Sequence, residues 1–347
     1  MSKLILGARI HRHGGLDQVV VEEFPVASPG AGEVLVRLHA AALNHLDLFV
    51  LAGIPGIDMP LPHVLGADGA GVVQEIGAGV QGWAPGDEVV LNPGLWCGRC
   101  EYCMRGDQSM CRRYRLLGEH VDGTFAQAIV VPAVNLHRKP ERLDWHQAAA
   151  FPLSTLTAWR MLVTRAGLRP GQTVLIHGIG GGVSLVSMQI ALAVGARVLV
   201  TSSSDRKLER ARRMGASECW NYNTVEVARE VRRATDKRGV DVVVDNVGEA
   251  TFATSIEACA RGGCIVTCGV TSGPQLPVDG RRVFWKHVTI MGSTMGAEDD
   301  FRSMLRAVAS GSVTPVIDRV FPLQDTAAAL EHLRVGEQFG KIVIELS

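Results

Sequence analysis

Cys97, Cys100, Cys103 and Cys111 stand in a C-x2-C-x2-C-x7-C run and account for half of the eight cysteines in the chain. Thiolates spaced this closely can turn their sulfurs to one side of a loop, and four of them close a tetrahedron around Zn2+. With no position left open to water, such a site is structural. Metal binding would then add folding free energy to the lobe that carries it, residues 92–114. A redox cluster or an iron–sulfur centre would use the same residue type. The remaining cysteines, Cys219, Cys259, Cys264 and Cys268, carry no ligand spacing. The stretch Met1–Arg9 has neither an apolar h-region nor a small-residue cleavage site. The expectation is therefore a cytoplasmic chain in which clustered cysteines hold zinc rather than disulfides.

The second chemical feature is a phosphate cradle. Gly178-Ile179-Gly180-Gly181-Gly182-Val183-Ser184 follows the β-branched run Thr173-Val174-Leu175-Ile176 and opens an apolar helix, expected from about Val183 to Val194. Gly178, Gly180, Gly181 and Gly182 let the backbone approach a pyrophosphate, and the helix beginning at Val183 points free N–H groups and its positive dipole end at it. Gly195 stops the helix, and Arg197-Val198-Leu199-Val200-Thr201 reads as a second strand. The last small position of the motif is Ser184 rather than Gly, still small enough to keep helix and sheet close. An acidic residue at the end of the second strand would accept hydrogen bonds from the ribose 2′-hydroxyl of NAD. Here the chain has Ser202, Ser203, Ser204, Asp205, Arg206 and Lys207. Hydroxyls from Ser202 and Ser203 with the cations Arg206 and Lys207 suit a 2′-phosphate, so NADP(H) is expected over NAD(H). Asp205 is placed in the first turn of the next helix, where the dipole favours it.

The elements that must carry these residues follow from length and pattern. A chain of 347 residues holds about two domains. Lys plus Arg and Asp plus Glu both total 35, so no basic excess exists to drive nucleic-acid binding. The run Val174–Ala196 lacks Asp, Glu, Lys and Arg and is long enough to cross a bilayer, but its central glycines read instead as strand, turn and helix. No membrane partner is expected. Further strands at 240–245, 264–269 and 289–292 alternate with helices at 225–234 and 250–260, the pattern of a doubly wound parallel sheet. The first 150 residues instead show short β-rich runs broken by Gly, Pro and Asp, as in Glu33–Leu38, Gly71–Ile76 and Gly82–Val90. These suggest a small β-barrel-like domain, and the closing strand Phe339–Glu345 is expected to rejoin it.

Taken in order, Gly66-Ala67-Asp68-Gly69-Ala70-Gly71, Pro85-Gly86-Asp87-Glu88-Val89, the four-cysteine lobe, the glycine turn and Gly340-Lys341 resemble the medium-chain dehydrogenase/reductase superfamily, which includes zinc alcohol dehydrogenases and quinone oxidoreductases. The resemblance implies an α/β fold. It places a GroES-like catalytic domain with a zinc lobe at 1–150, a Rossmann dinucleotide-binding domain at 151–295, and the end of that domain with a return to the first at 296–347. It also implies an active site in the cleft between domains, and a homodimer or homotetramer. By the same resemblance, the catalytic-zinc positions hold Asn44, Ala67 and Leu153, which ligate zinc poorly or not at all. One structural Zn2+ per chain is thus expected, without a catalytic one. The implied reaction is hydride transfer from NADPH to a small-molecule electrophile: an enone, a quinone or an enoyl thioester. The alternatives are an alcohol dehydrogenase or carbonyl reductase with atypical zinc ligation, and a non-catalytic NADPH-binding protein. Asn44 would donate to the substrate carbonyl and Asp47 would orient its neighbours, although each could simply cap a helix. Thr157, Gly269, Val270, Ser293, Thr294 and Lys341 carry over as cofactor contacts. His45, His63 and Asp68 remain candidates for a replacement metal site or a proton source.

Overall fold

The computed structural model describes residues 3–346. Two compact units divide the chain: residues up to Leu153 together with those from Pro315 onward form one, and Ser154–Thr314 form the other.

In the second unit the buried run Thr173–Ile176 pairs in parallel with Arg197–Ser202 on one side and Val240–Val244 on the other. The complete sheet runs Glu218–Asn221, Arg197–Ser202, Thr173–Ile176, Val240–Val244, Cys259–Thr267, Thr289–Gly292, with every pairing parallel. Strand order reverses direction between Thr173–Ile176 and Val240–Val244, the switch point at which such sheets open a crevice beyond their carboxyl ends. The expected helices are present as Gly182–Val194, Val227–Ala234 and Phe252–Ala258. Cys259–Thr267 begins earlier than expected because Cys259 pairs with Val240 before an irregularity resets the register at Val242 and Cys264. Glu218–Asn221 has no forerunner in the sequence reading. Only Trp220 of its four residues is buried, so this edge strand lacks an apolar signature.

In the first unit, the long strand Glu33–Ala42 is the hub. It pairs antiparallel with Asp68–Ile76, Ala128–Pro132 and Lys341–Glu345, so the chain's last strand does return to this unit. Close pairing leaves no room at Gly71, where an added Cβ would lie 2.1 Å from the Arg37 carbonyl oxygen. The 82–90 segment forms the anticipated turn into a strand, Glu88–Leu91. Its Asp87 carboxylate accepts the Ala84 amide at 3.0 Å and so braces the turn. Apolar residues from these strands and from the helix Thr326–Val335 share one core, with Val36, Leu38, Leu91, Phe125, Leu330 and Ile344 at its centre. Among the described residues no helix is long and apolar enough to cross a membrane.

Candidate functional site

The glycine turn leaves the strand Thr173–Ile176 at its carboxyl end. Gly178 and Gly180 adopt φ of +67° and +119°, which L side chains rarely do, and Gly181 caps the helix that begins at Gly182. The Ser184 hydroxyl donates to the carbonyls of Gly178 at 2.8 Å and Gly181 at 3.1 Å, and so closes the turn from within. At the motif's last small position, serine therefore supplies bonds as well as small size.

Beneath the turn lies a buried network that the sequence reading missed. Asp245 accepts the amides of Val247 and Gly248 at 3.1 and 3.0 Å, and the hydroxyls of Thr251 and Ser255 at 2.8 and 2.6 Å. Because Ser255 gives its only proton to Asp245, His177 Nε2, 3.0 Å away, must donate to the serine oxygen. His177 Nδ1 then accepts from the Thr201 hydroxyl at 3.2 Å, and the same Thr201 oxygen takes the Gly178 amide at 3.4 Å. Burial lowers the His177 pKa, consistent with this neutral tautomer. Four polar residues thus tie three strand ends to the start of the cradle. The only signal for them in the sequence is a histidine standing between an apolar strand and a glycine.

Other expected cofactor residues come to the same carboxyl edge of the sheet. Ser202 ends its strand buried, its oxygen accepting the Ser204 amide at 3.2 Å, while Ser203 is exposed. Ser204 caps the helix Asp205–Arg213, placing Asp205, exposed Arg206 and half-buried Lys207 in its first turn. The Asp205 carboxylate is held by the Asn221 amide at 2.8 Å. Gly269 and Val270 follow Cys259–Thr267, and Ser293 and Thr294 follow Thr289–Gly292, with the Ser293 amide bonded to Thr267 at 2.8 Å. Asn246 Oδ1 and Ser293 Oγ are buried there without hydrogen-bond partners, as suits an edge awaiting a polar ligand. Thr157 lies in the helix Pro152–Trp159, its hydroxyl 3.7 Å from Met295 Sδ. A dinucleotide fits this donor set: a cradle open at its glycines, a helix N-terminus, and orphaned polar atoms at the strand ends.

In the first unit, Asn44, Asp68, Lys341 and the Leu153 backbone meet. Lys341 Nζ donates to Asn44 Oδ1 at 2.6 Å and to Asp68 Oδ2 at 3.0 Å. Asn44 Nδ2 donates to Asp68 Oδ2 at 2.9 Å, and the Leu153 amide donates to Asp68 Oδ1 at 2.7 Å. An ammonium therefore lies among the residues that the resemblance places at the catalytic-zinc positions. Lys341, expected as a cofactor contact, has its charge engaged inside this unit. Asp47 is fully buried at the third position of the helix His45–Ala52, where Oδ2 takes the Asn44 amide at 2.7 Å and Oδ1 has no partner. Burial pushes its pKa up to about 7, while the Asn44 amide and the Lys341 charge pull the other way. His45 is solvent-accessible, and its pKa is lowered by desolvation and then by Lys341. His63 is buried 3.6 Å from Asp122. His45, His63 and Asp68 do not assemble a metal site: among the described residues, the one group of three or more His, Cys, Asp or Glu able to hold an ion is the cysteine cluster.

That cluster brings the Sγ atoms of Cys97, Cys100, Cys103 and Cys111 within 4.8 Å of one another, with Cys103 and Cys111 buried. Cys100 and Cys103 sulfurs are 3.5 Å apart, and those of Cys97 and Cys103 4.0 Å. The Cys97 and Arg113 amides donate to the Cys111 sulfur at 3.4 and 3.3 Å. Backbone amides of Cys103 and Arg112 pull the Cys100 thiol down to about 6, whereas burial and the neighbouring sulfurs push Cys103 up to about 12. Four sulfurs this close cannot all be thiolates without a cation among them. The donor set and spacing fit Zn2+ held by all four, with no ligand position left over.

Two family models match in sequence order. One, an alcohol dehydrogenase GroES-like domain, matches residues 30–141, and the other, a zinc-binding dehydrogenase, matches residues 182–310. A zinc-type alcohol dehydrogenase-like protein of Schizosaccharomyces pombe is 34% identical over 340 residues, 96% of each chain. An acryloyl-coenzyme A reductase of Metallosphaera sedula is 32% identical, covering 93% of this chain and 95% of its own. A crystal structure described as an NAD-dependent alcohol dehydrogenase matches with a TM-score of 0.96 at 46% identity, covering 99% of this chain and 100% of that one. With matches that span nearly its whole length, the chain belongs to the medium-chain dehydrogenase/reductase superfamily of oxidoreductases.

Proposed function

We propose that this oxidoreductase reduces activated C=C bonds or quinones with NADPH, and that its one zinc per chain is structural. The observation that carries the reading is the Lys341 ammonium, bonded at 2.6 Å to Asn44 Oδ1 and at 3.0 Å to Asp68 Oδ2. Asn44, Ala67 and Leu153 make a poor zinc site, and a fixed cation among them repels a second one. Without a Lewis acid, an alcohol has no ready route to its alkoxide, whereas an enone, quinone or enoyl thioester is already electrophilic. NADPH, when bound, supplies a hydride to such a carbon. The residues then orient the acceptor, and the Asn44 amide donates to the oxygen on which charge develops. Asp47, whose pKa lies near neutrality, can hold the proton that completes the reduction.

The hydroxyls of Ser202 and Ser203 with Arg206 and Lys207 support NADP(H) as the cofactor, with Gly178–Val183 under the pyrophosphate and Thr157, Gly269, Val270, Ser293 and Thr294 toward the nicotinamide. The acryloyl-coenzyme A reductase relative supports the substrate class. A homodimer or homotetramer accompanies this reading. It is supported by the sheet edge Thr289–Gly292 and the adjacent helix Gly280–Lys286, on which Phe284 and Trp285 are 68% and 65% exposed.

The 46% identical structure, described as an NAD-dependent alcohol dehydrogenase, favours a second reading: alcohol or carbonyl chemistry with atypical metal ligation. One experiment separates the two. Purified enzyme is assayed with 2-cyclohexenone, a benzoquinone, acryloyl-coenzyme A and primary alcohols, each with both nicotinamide cofactors, alongside zinc analysis. Reduction of the unsaturated acceptors with NADPH at about one zinc per chain upholds the proposal. Two zinc ions per chain with alcohol turnover lost on chelation replaces it with the second reading.

A further inference from the structure

Lys341 is the basic residue of a closed polar triangle whose other corners are Asn44 and Asp68. An ammonium can only donate and a carboxylate only accept, so these neighbours fix which way the Asn44 amide faces: its oxygen toward Lys341 and its nitrogen toward Asp68. All three side chains are nearly inaccessible, at 9% for Asn44, 5% for Lys341 and 0% for Asp68. One N–H of Asn44 goes to Asp68, and among the described residues the nitrogen's other acceptor within reach is the Ala42 carbonyl at 3.5 Å, the outer limit of a hydrogen bond. Donation into the amide oxygen strengthens the donors on the same group, because bonds in a low-dielectric chain polarise one another.

We infer that Lys341 is a positioning residue that supplies the electrostatic part of a Lewis acid: by donating to Asn44 Oδ1 it fixes the amide with one N–H on Asp68 and makes the other, held only by the long contact to the Ala42 carbonyl, a stronger donor to a substrate oxygen. The inference rests on the proposed reduction of activated acceptors, in which Asn44 touches the substrate. Lys341 acts through Asn44, so the property at stake is kcat rather than cofactor binding. The geometry also gives Asp68 a part. It balances the ammonium, accepts the Leu153 amide at 2.7 Å, and closes the amide's other end.

Removing Lys341 alone would strand the buried Asp68 carboxylate and risk the fold. The test therefore compares two charge-balanced proteins, Asp68→Asn with Lys341→Met and Asp68→Asn with Lys341→Gln. Both are neutral at this site and close in volume, but only glutamine can still donate to Asn44 Oδ1. With 2-cyclohexenone and NADPH, the methionine pair is expected to lose about 100-fold in kcat, in the range seen for a missing oxyanion donor. The glutamine pair is expected to retain about ten times the kcat of the methionine pair, at equal NADPH affinity and equal melting temperature. Equal kcat in the two pairs overturns the inference. A second readout needs no turnover. In protein labelled with 15N-asparagine, the Asn44 side-chain amide signals, identified by their loss in Asn44→Asp, should lie upfield in the methionine pair relative to the glutamine pair, since both lack the Asp68 carboxylate and differ only in the donor to Asn44 Oδ1. Coincident signals in the two pairs also overturn it. If wild-type protein reduces no activated acceptor, the proposed function fails, while the spectra still decide whether Lys341 polarises Asn44.

Discussion

Asp47→Asn tests the buried proton most directly. The carboxyl is fully buried, one oxygen has no partner, and its pKa rises from 3.8 to about 7. At about 1.4 kcal/mol per tenfold change in proton affinity, that rise corresponds to about 4 kcal/mol. The sign is set by which state holds the proton. Between pH 4 and pH 7 the folded chain keeps it while the unfolded chain has released it, so stability falls as pH rises, and the whole penalty is present above pH 7. Asparagine keeps the oxygen that accepts the Asn44 amide and never ionises. The variant's stability relative to wild type should therefore climb with pH, by about 3 kcal/mol between pH 5 and pH 8, and then level off. Urea unfolding of both proteins with zinc retained, repeated across that range, measures the difference while other titrating groups cancel. A flat difference would mean that Asp47 ionises like an ordinary aspartate, and would remove it as the proton-holding group.

Three further outcomes are expected. With zinc held by the four sulfurs as proposed, Cys111→Ser should lower bound zinc from about one ion per chain to near zero and cut the melting temperature, because the buried sulfur would both ligate and receive the Cys97 and Arg113 amides; elemental analysis beside calorimetry reads this. Gly178→Ala meets no steric obstacle, with Val247 Cγ2 at 3.7 Å, but must hold φ at +67°, costing about 1–2 kcal/mol. Isothermal titration should show NADPH binding weakened about tenfold in a folded protein. Arg160→Met, which removes the partner 3.0 Å from the buried Asp300, should destabilise the chain by about 3–5 kcal/mol in urea unfolding, and adding Asp300→Asn should restore much of that loss.

What could be read from the sequence was local. The glycine turn, its flanking strands and helix, and the four cysteines each declare themselves within a few tens of residues, because backbone conformation and ligand spacing are short-range properties. The networks that finish both sites are not. His177 meets Ser255 across 78 positions, and Lys341 meets Asn44 across 297 and Asp68 across 273. Neither Lys341, in a strand of otherwise ordinary composition, nor Asp245, at the end of a valine run, carries any periodic mark of its partners. Asn44 and Asp47 read from the sequence as a pair, yet their environments diverge. Asp47 turns to the Asn44 backbone as a helix-terminal acceptor, while the Asn44 side chain turns away toward Asp68 and Lys341. Sequence spacing cannot separate these two directions, since both follow from what the fold brings up behind the helix.

The divergence bears on reaction direction. Oxidising an alcohol requires a base to take the hydroxyl proton before or as the hydride leaves. Asp68 has one oxygen bonded to Lys341 and Asn44 and the other to the Leu153 amide, so both oxygens already accept hydrogen bonds. Asp47, whose pKa is pushed up to about 7, is half-protonated at neutral pH and so can take a proton in one direction and give one in the other. Reduction of a conjugated acceptor draws on the second of these. Hydride arrives first, negative charge spreads over a carbonyl rather than residing on one alkoxide, and a proton follows. In the proposed reduction the Asn44 amide would donate to the oxygen that gains charge, and the half-protonated Asp47 would hold the proton that follows.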